Sequence, residues 1–440
     1  MRMFFFLKNF KLSGHFKIAL TAWVSKIIAI GCNIFSIRIV SQNLGLDSYA
    51  VFTVLSSIVG WFMLLEFGLS SSLQNYISEK RARQENSHQY ITNAFMLLTI
   101  ISAVAAVCLF FVNSSLAALL LGKLQNVSIS EKTNSFILVV YIFLFFSFST
   151  IINKIWFAER KGFYANIIPA ISGITSILLL VLTPSTILYK NLVLCLFYCC
   201  LPTSLLGFII SLYKFIQSAK KLNGDLFSWP ISKKLLTRGY KFWSIGIIGI
   251  LNSQGDTIIM TQCLKNEEII QYTFTLRIFN HALFLYTSLL NAVWPVFAEK
   301  LINNNWDSVT KKTNHYLLFS FLYLLFFTGC FVLLKDFLSA FLLPGTDVII
   351  PFWFILVAGI VGLLRCHADT FSTILYSKSE TAPIFKISIV ILFLNFALQY
   401  MLSNIIGAVG LFVAQAITLA STTLWFYPLQ VKKLREKDAL

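Results

Sequence analysis

Among the ionisable residues inside apolar stretches of this 440-residue chain, the candidates for chemistry are Lys26, Arg38, Glu66, Asp256, Arg277, Arg365, His367 and Asp369. On insertion scales a charge at mid-bilayer costs about 2.5–3.5 kcal/mol, so in a membrane span each is a candidate for function or for pairing. A cation facing an aqueous cavity binds anionic groups; a carboxylate there takes up a proton or a metal cation, or serves as a counter-ion. Leaving His367 aside, the set holds the cations Lys26, Arg38, Arg277 and Arg365 against the acids Glu66, Asp256 and Asp369. A mildly cationic, water-filled cavity built from them suits an anionic head group.

Each residue has a structural reading beside the functional one. Glu66, near the middle of its stretch, is a proton site or counter-ion, or else the partner of Lys26 or Arg38. Asp256 lies in Asn252-Ser253-Gln254-Gly255-Asp256-Thr257, the most polar stretch in any apolar run, and is expected to line an aqueous cavity because lipid cannot satisfy such a segment. Arg38 and Arg277 sit toward span ends, where an interfacial anchor is the alternative. Arg365 and Asp369 are one helical turn apart, so they form a self-neutralised pair or part of a site. His367 titrates near neutral pH or packs. Three ionisable groups in 348–376 cost about 8 kcal/mol, an amount that about fifteen apolar residues at roughly −0.5 kcal/mol each return. That span is marginal in lipid alone and needs a polar or aqueous neighbour. Lys154 and Lys386 lie near span ends and read as snorkelling residues.

The elements carrying these residues follow from composition. The chain is 57% hydrophobic and 12% charged, with mean hydropathy +0.78. Soluble chains are about one-quarter charged, and no soluble fold of this length hides so much apolar surface. Runs long enough to span a bilayer fall at 18–41, 48–78, 90–112, 134–157, 163–183, 188–213, 242–264, 268–298, 315–334, 348–376, 383–403 and 406–428. The expected fold is an all-α integral membrane protein of about twelve transmembrane helices. The first run lacks a small-residue cleavage site and reads as an uncleaved span. The eight cysteines form no CxxC pair and read as small apolar residues.

The net charge of +17 is distributed by topology. With the N-terminus inside, the inner segments hold the basic clusters Lys80-Arg81-Arg83, Lys233-Lys234-Arg238-Lys241 and Lys432-Lys433-Arg435-Lys437. The outer ones hold only Lys123, Lys132, Lys190, Lys265 and Lys335. This positive-inside pattern predicts cytoplasmic N and C termini and removes any need for a nucleic-acid partner. The inner connection around 214–241 separates six spans from six. Val40-Ser41-Gln42-Asn43-Leu44 is matched 220 residues later by Met260-Thr261-Gln262-Cys263-Leu264, and Ser78-Glu79-Lys80 by Ala298-Glu299-Lys300. Internal duplication follows, with both halves starting on the same side and therefore parallel. The expected domains are an N-terminal lobe at 1–216, a cytoplasmic linker at 217–240 and a C-terminal lobe at 241–440, with the two six-helix lobes around a central cavity.

No nucleotide-binding GxxxxGK[ST], no HExxH and no GxSxG occurs, and the five histidines are scattered. No cofactor, metal site or catalytic residue is expected. The outer loops are short and lack paired carboxylates, which argues against an enzyme.

Two segments resemble a known family. Arg38-Ile39-Val40-Ser41-Gln42-Asn43-Leu44-Gly45-Leu46-Asp47-Ser48-Tyr49-Ala50-Val51-Phe52 resembles the flippase signature R-x-L-G-x-x-x-Y-G-x-F/Y. Leu65-Glu66-Phe67-Gly68-Leu69-Ser70-Ser71-Ser72-Leu73 resembles L-D-x-G-L-x-x-A/S-L, with Glu66 for the usual Asp and Ala50 for the usual Gly. Over nearly its whole length the chain is similar to Wzx-type O-antigen flippases of the multidrug/oligosaccharidyl-lipid/polysaccharide exporter superfamily. The resemblance implies alternating-access transfer of undecaprenyl-pyrophosphate-linked O-antigen repeat units from the cytoplasmic to the periplasmic leaflet of the bacterial inner membrane. It implies head-group binding by Arg38, Arg277, Arg365 and Lys26, and ion coupling or counter-ions at Glu66, Asp256 and Asp369. Membrane lipid, an O-antigen polymerase and a chain-length regulator are the implied partners. The alternatives are a cation-coupled drug antiporter of the same superfamily and an integral-membrane O-antigen polymerase.

Overall fold

A computed structural model describes residues 14–440, apart from Gln125, Arg160, Asn223, Asn303, Gly345, Asp347, Ser379, Thr381 and Leu440. Arg2, Lys8 and Lys11 of the basic N-terminus lie outside the described residues. Among the described residues there is no strand. The helices are α1 (Gly14–Ser57), α2 (Leu69–Ala82), α3 (His88–Leu121), α4 (Ile129–Ala158), α5 (Gly162–Leu182), α6 (Leu192–Ala219), α7 (Trp229–Cys263), α8 (Asn266–Ile302), α9 (Trp306–Leu342), α10 (Phe352–Ser377), α11 (Ala382–Ile406), α12 (Val409–Ser421) and α13 (Thr423–Ala439). α1 is kinked at Gly45, whose φ of 71° lies in the left-handed region where glycine carries no Cβ penalty.

The chain is a multi-pass, all-helical membrane protein. Nine stretches among the described residues are long and apolar enough to cross a bilayer. Each of the twelve expected runs falls on helix, but those at 48–78, 242–264 and 268–298 do not stand among the nine as separate spans. The first shares the stretch 24–66 with its predecessor. The other two lie on α7 and α8, which carry the polar Asn252–Thr257 stretch and Arg277.

The helix boundaries recur at the offset read from the sequence. α3 against α9, α4 against α10 and α5 against α11 begin and end within a few residues of a 220-residue shift, and the kink at Gly45 falls opposite the break between α7 and α8. One contact recurs too. A Thr150 hydroxyl meets the Glu66 carboxylate, and at the shifted positions the Thr370 and Tyr286 hydroxyls lie 2.6 Å apart.

The chain divides into two compact units. Among the described residues, unit 1 comprises 14–44, 58–118 and 128–246; unit 2 comprises 45–57, 119–127 and 247–439. The core of unit 1 joins Leu69, Leu73 and Ile77 of α2 with Leu98 of α3, Ile151 and Ile155 of α4, and Leu235 of α7. α4 and α6 meet along a seam of small residues: Ser211 Oγ donates to Phe148 O at 2.6 Å and Ser149 Oγ to Thr203 O at 3.2 Å. A Cβ on Gly207 would lie 2.7 Å from Ser149 Cα. Small residues let helix backbones approach where lipid supplies no hydrophobic drive for association. In unit 2, Leu290 and Tyr286 of α8 pack with Leu324 of α9 and Cys366 of α10. Ile384 and Ile387 of α11 pack with Leu375 of α10 and Tyr427 of α13.

Candidate functional site

In unit 1 the acidic residue sits at a helix break. After a short helical turn at Val59–Phe62, a 3-10 turn (Met63–Glu66) precedes α2, and Phe67 and Gly68 adopt φ of 48° and 69°. The break leaves carbonyl groups without intrahelical donors. One is satisfied from α7, where the Trp243 indole donates to Leu64 O at 2.8 Å. The Phe67 and Trp243 rings pack with centroids 5.2 Å apart. Gly68 and Gly239 bring the two backbones together: a Cβ on Gly239 would stand 2.7 Å from Phe67 O.

Glu66 is 8% exposed. Its carboxylate accepts from Ser70 Oγ at 2.7 Å and from Thr150 Oγ1 of α4. It lies at the N-terminal end of α2, where the helix dipole favours negative charge. Lys154, one turn beyond Thr150, is the cation whose charge acts on it. The hydroxyls around Glu66 come from α2 and α4. Lys26 and Arg38 are half-buried on α1. Removing one of two interacting opposite charges in a low-dielectric setting leaves the other less compensated. Glu66→Gln and Lys154→Gln are each expected to lower the melting temperature of the purified protein, with the double variant falling by less than the sum. Strict additivity would mean that the two groups do not interact.

In unit 2, Asp256 of α7 accepts from the Tyr272 hydroxyl of α8 at 2.5 Å, and the Gln415 amide of α12 donates to that hydroxyl at 3.1 Å. Tyr272 is 1% exposed and is held by Phe412, at a centroid distance of 4.7 Å. The charge of Arg365 acts on both Tyr272 and Asp369, yet among the described residues no ion pair within 4 Å joins Arg365 to Asp369. Arg365 is exposed and Asp369 half-buried on α10. His367 packs on Phe371, centroids 4.9 Å apart. Arg277 Nη2 donates to Ser56 Oγ at 3.1 Å. Three further amide side chains in this unit carry buried polar atoms without partners: Asn252 Oδ1, Asn395 Oδ1 and both polar atoms of Gln399.

The structure thus joins Asp256, Tyr272 and Gln415 by hydrogen bonds within unit 2, and Glu66 with Ser70 and Thr150 within unit 1. Sequence reasoning missed Tyr272, Gln415 and Thr150. Tyr272 and Gln415 lie 16 and 159 positions from Asp256 and carry no local signal; only the Thr150/Lys154 spacing of one turn was visible.

No family model matches the chain. A Yersinia pseudotuberculosis protein named as an O-antigen export protein is 30% identical over 416 residues, covering 94% of this chain and 95% of that protein. A Salmonella typhi protein named as an O-antigen transporter is 29% identical over 96% of this chain and 97% of its own length. Among solved structures, an inward-facing multidrug-resistance MATE transporter of the MOP superfamily matches with a TM-score of 0.74 at 11% identity, over 95% of this chain and 99% of that one. The lipid II flippase MurJ in an inward closed conformation matches with a TM-score of 0.75 at 14% identity, over 94% and 87%. These two establish the fold, and the 30% identity over nearly the full length establishes the family: the chain belongs to the O-antigen export and transport proteins.

Proposed function

We propose that this protein is a flippase for lipid-linked oligosaccharide, moving undecaprenyl-pyrophosphate-linked O-antigen repeat units from the cytoplasmic to the periplasmic leaflet of the bacterial inner membrane. It is a transporter and not an enzyme. The observation that carries the reading is the full-length relationship to O-antigen export proteins. Sugars and pyrophosphate cannot cross hydrocarbon unaided, because their polar groups would be stripped of water. In this reading the cycle is alternating access, and Arg38, Arg277, Arg365 and Lys26 hold the anionic head group. Glu66, Asp256 and Asp369 serve ion coupling or charge balance. The positive-inside distribution supports cytoplasmic termini.

The test is a deletion strain that still makes repeat units. Surface polysaccharide is expected to disappear, with lipid-linked units accumulating out of reach of a membrane-impermeant sugar label applied from the periplasm. Expression of the chain in trans restores the polymer. Labelling of the units from the periplasm in the deletion strain overturns the flippase reading. Single-unit capped lipopolysaccharide in that strain would instead indicate a polymerase.

A further inference from the structure

A groove of about 600 Å3 opens on unit 1 at the start of α7, lined by Tyr76, Pro230, Lys233, Lys234, Thr237 and Arg238. We propose that it binds the phosphate-bearing head group of a membrane lipid at the cytoplasmic face. The site is separate from the intramembrane charges discussed above and does not rest on the identity of the cargo.

Charge comes first. Lys233 and Lys234 are exposed, and neither makes an ion pair among the described residues, whereas Lys80, Lys161, Lys214, Lys335 and Lys378 each have an acidic partner. Arg238 has one as well: its Nη2 lies 2.7 Å from Glu79 Oε1, and its guanidinium stacks over the Tyr76 ring at 4.8 Å. That hydrogen bond holds the Glu79 carboxyl below its ordinary range. Glu79 therefore answers Arg238, and the two lysines face the groove uncompensated. They stand in the first two turns of a 35-residue helix. The dipole there adds to the attraction for an anion, and a phosphate is well matched to point-charge lysines.

The site is rigid. Leu235, between the lysines and Arg238, is fully buried in the unit 1 core, with Ile231 and Leu236 packed against it. The helix start is tied to α3: the Ser228 amide donates to Asn93 Oδ1 at 2.7 Å, and the Ser232 hydroxyl lies 3.1 Å from the same oxygen. The cations are thus held on a fixed frame before any ligand arrives, which lowers the ordering cost of binding. The groove also has lipid-facing company. Trp229 and Tyr240 are 61% and 62% exposed on the same helix segment, the amphipathic rings that mark head-group depth. An aqueous anion has no use for them. Positive-inside topology places this segment in the cytoplasm, where basic pockets take lipid head groups. A phosphoglycerol diester and a polyprenyl pyrophosphate share this chemistry.

The experiment measures binding to the full chain in detergent micelles by native mass spectrometry. The probes are short-chain phosphatidylglycerol, short-chain phosphatidylcholine, a polyprenyl pyrophosphate and inorganic phosphate. Each lysine near a membrane surface is worth about 1 kcal/mol, so Lys233→Gln/Lys234→Gln is expected to weaken the anionic lipids roughly thirtyfold. Lys432→Gln/Lys433→Gln, which removes two equally exposed lysines from α13, should change binding less than about twofold. An unchanged melting temperature would establish that both variants are folded. Loss of phosphatidylglycerol alone identifies a resident phospholipid, and loss of a tighter polyprenyl pyrophosphate identifies the cargo lipid; either supports the site. Retention of both lipids by Lys233→Gln/Lys234→Gln, equal binding of phosphatidylcholine by the parent, or inorganic phosphate binding as tightly as the lipids would overturn it.

Discussion

Asp256→Asn is expected to lower delivery of surface O-polysaccharide by about tenfold or more in a complemented deletion strain while leaving the protein folded and inserted. Asparagine keeps the shape of the side chain and can still accept from the Tyr272 hydroxyl, which lies 2.5 Å from the carboxylate. What it removes is a charge and the ability to take up and release a proton or cation. A hydrogen bond to a charged group is worth about 1.5–3 kcal/mol, so loss of the charge alone predicts a fall in transport of roughly tenfold to a hundredfold. If the carboxylate is the coupling site, the effect is qualitative: reconstituted protein should lose its response to an imposed H+ or Na+ gradient. Tyr272→Phe separates the two contributions. It deletes the hydroxyl that joins Asp256 to the Gln415 amide but leaves the carboxylate, so transport should fall yet remain gradient-dependent. Wild-type gradient-dependent transport by Asp256→Asn would remove Asp256 from the coupling mechanism.

The contrast between Asp256 and its partners marks what a single sequence can convey. Asp256 was legible because the stretch Asn252–Thr257 is polar where its neighbours are apolar, and a membrane penalises that unless there is a reason. The all-helical class, the run positions and the 220-residue repeat were legible for a related cause: lipid imposes length and composition on every spanning element. Tyr272 and Gln415 were not legible. A tyrosine or glutamine in an apolar helix is ordinary, and only the packing of α8 and α12 brings the Tyr272 hydroxyl to the carboxylate and the Gln415 amide to that hydroxyl. The charge of Lys154 acting on Glu66 was not legible either. Its distance from the end of α4 fits snorkelling, and nothing local announces Glu66, 88 positions earlier. The helix break is the clearest case of a tertiary decision. Leu65-Glu66-Phe67-Gly68-Leu69 contains one glycine and no proline, and its counterpart 220 residues later runs through α8 without interruption.

That break leads to the largest stability effect expected from one methyl group. Gly68→Ala should lower the melting temperature of the purified protein by about 5 °C or more, for two separable reasons. Gly68 has φ of 69°, and a left-handed conformation costs an L-residue about 1–2 kcal/mol. A Cβ there would also collide with Gly239 O and come within 3.0 Å of Trp243 N. Both are backbone atoms of α7, which cannot swing aside as a side chain would, so overpacking adds about 1–3 kcal/mol. Gly239→Ala isolates the second cause. Its φ is not left-handed, and its Cβ would stand 2.7 Å from Phe67 O, so its effect should be smaller than that of Gly68→Ala. Moving α7 away would also stretch the bond from the Trp243 indole to Leu64 O that satisfies the broken helix. Glu66 stands two residues before Gly68, and the shift should loosen its hold on Thr150. Gly68→Ala is therefore expected to lose transport even at temperatures where it stays folded. A variant that melts within about 1 °C of the parent and transports normally would mean that the glycine pair is not what holds the break.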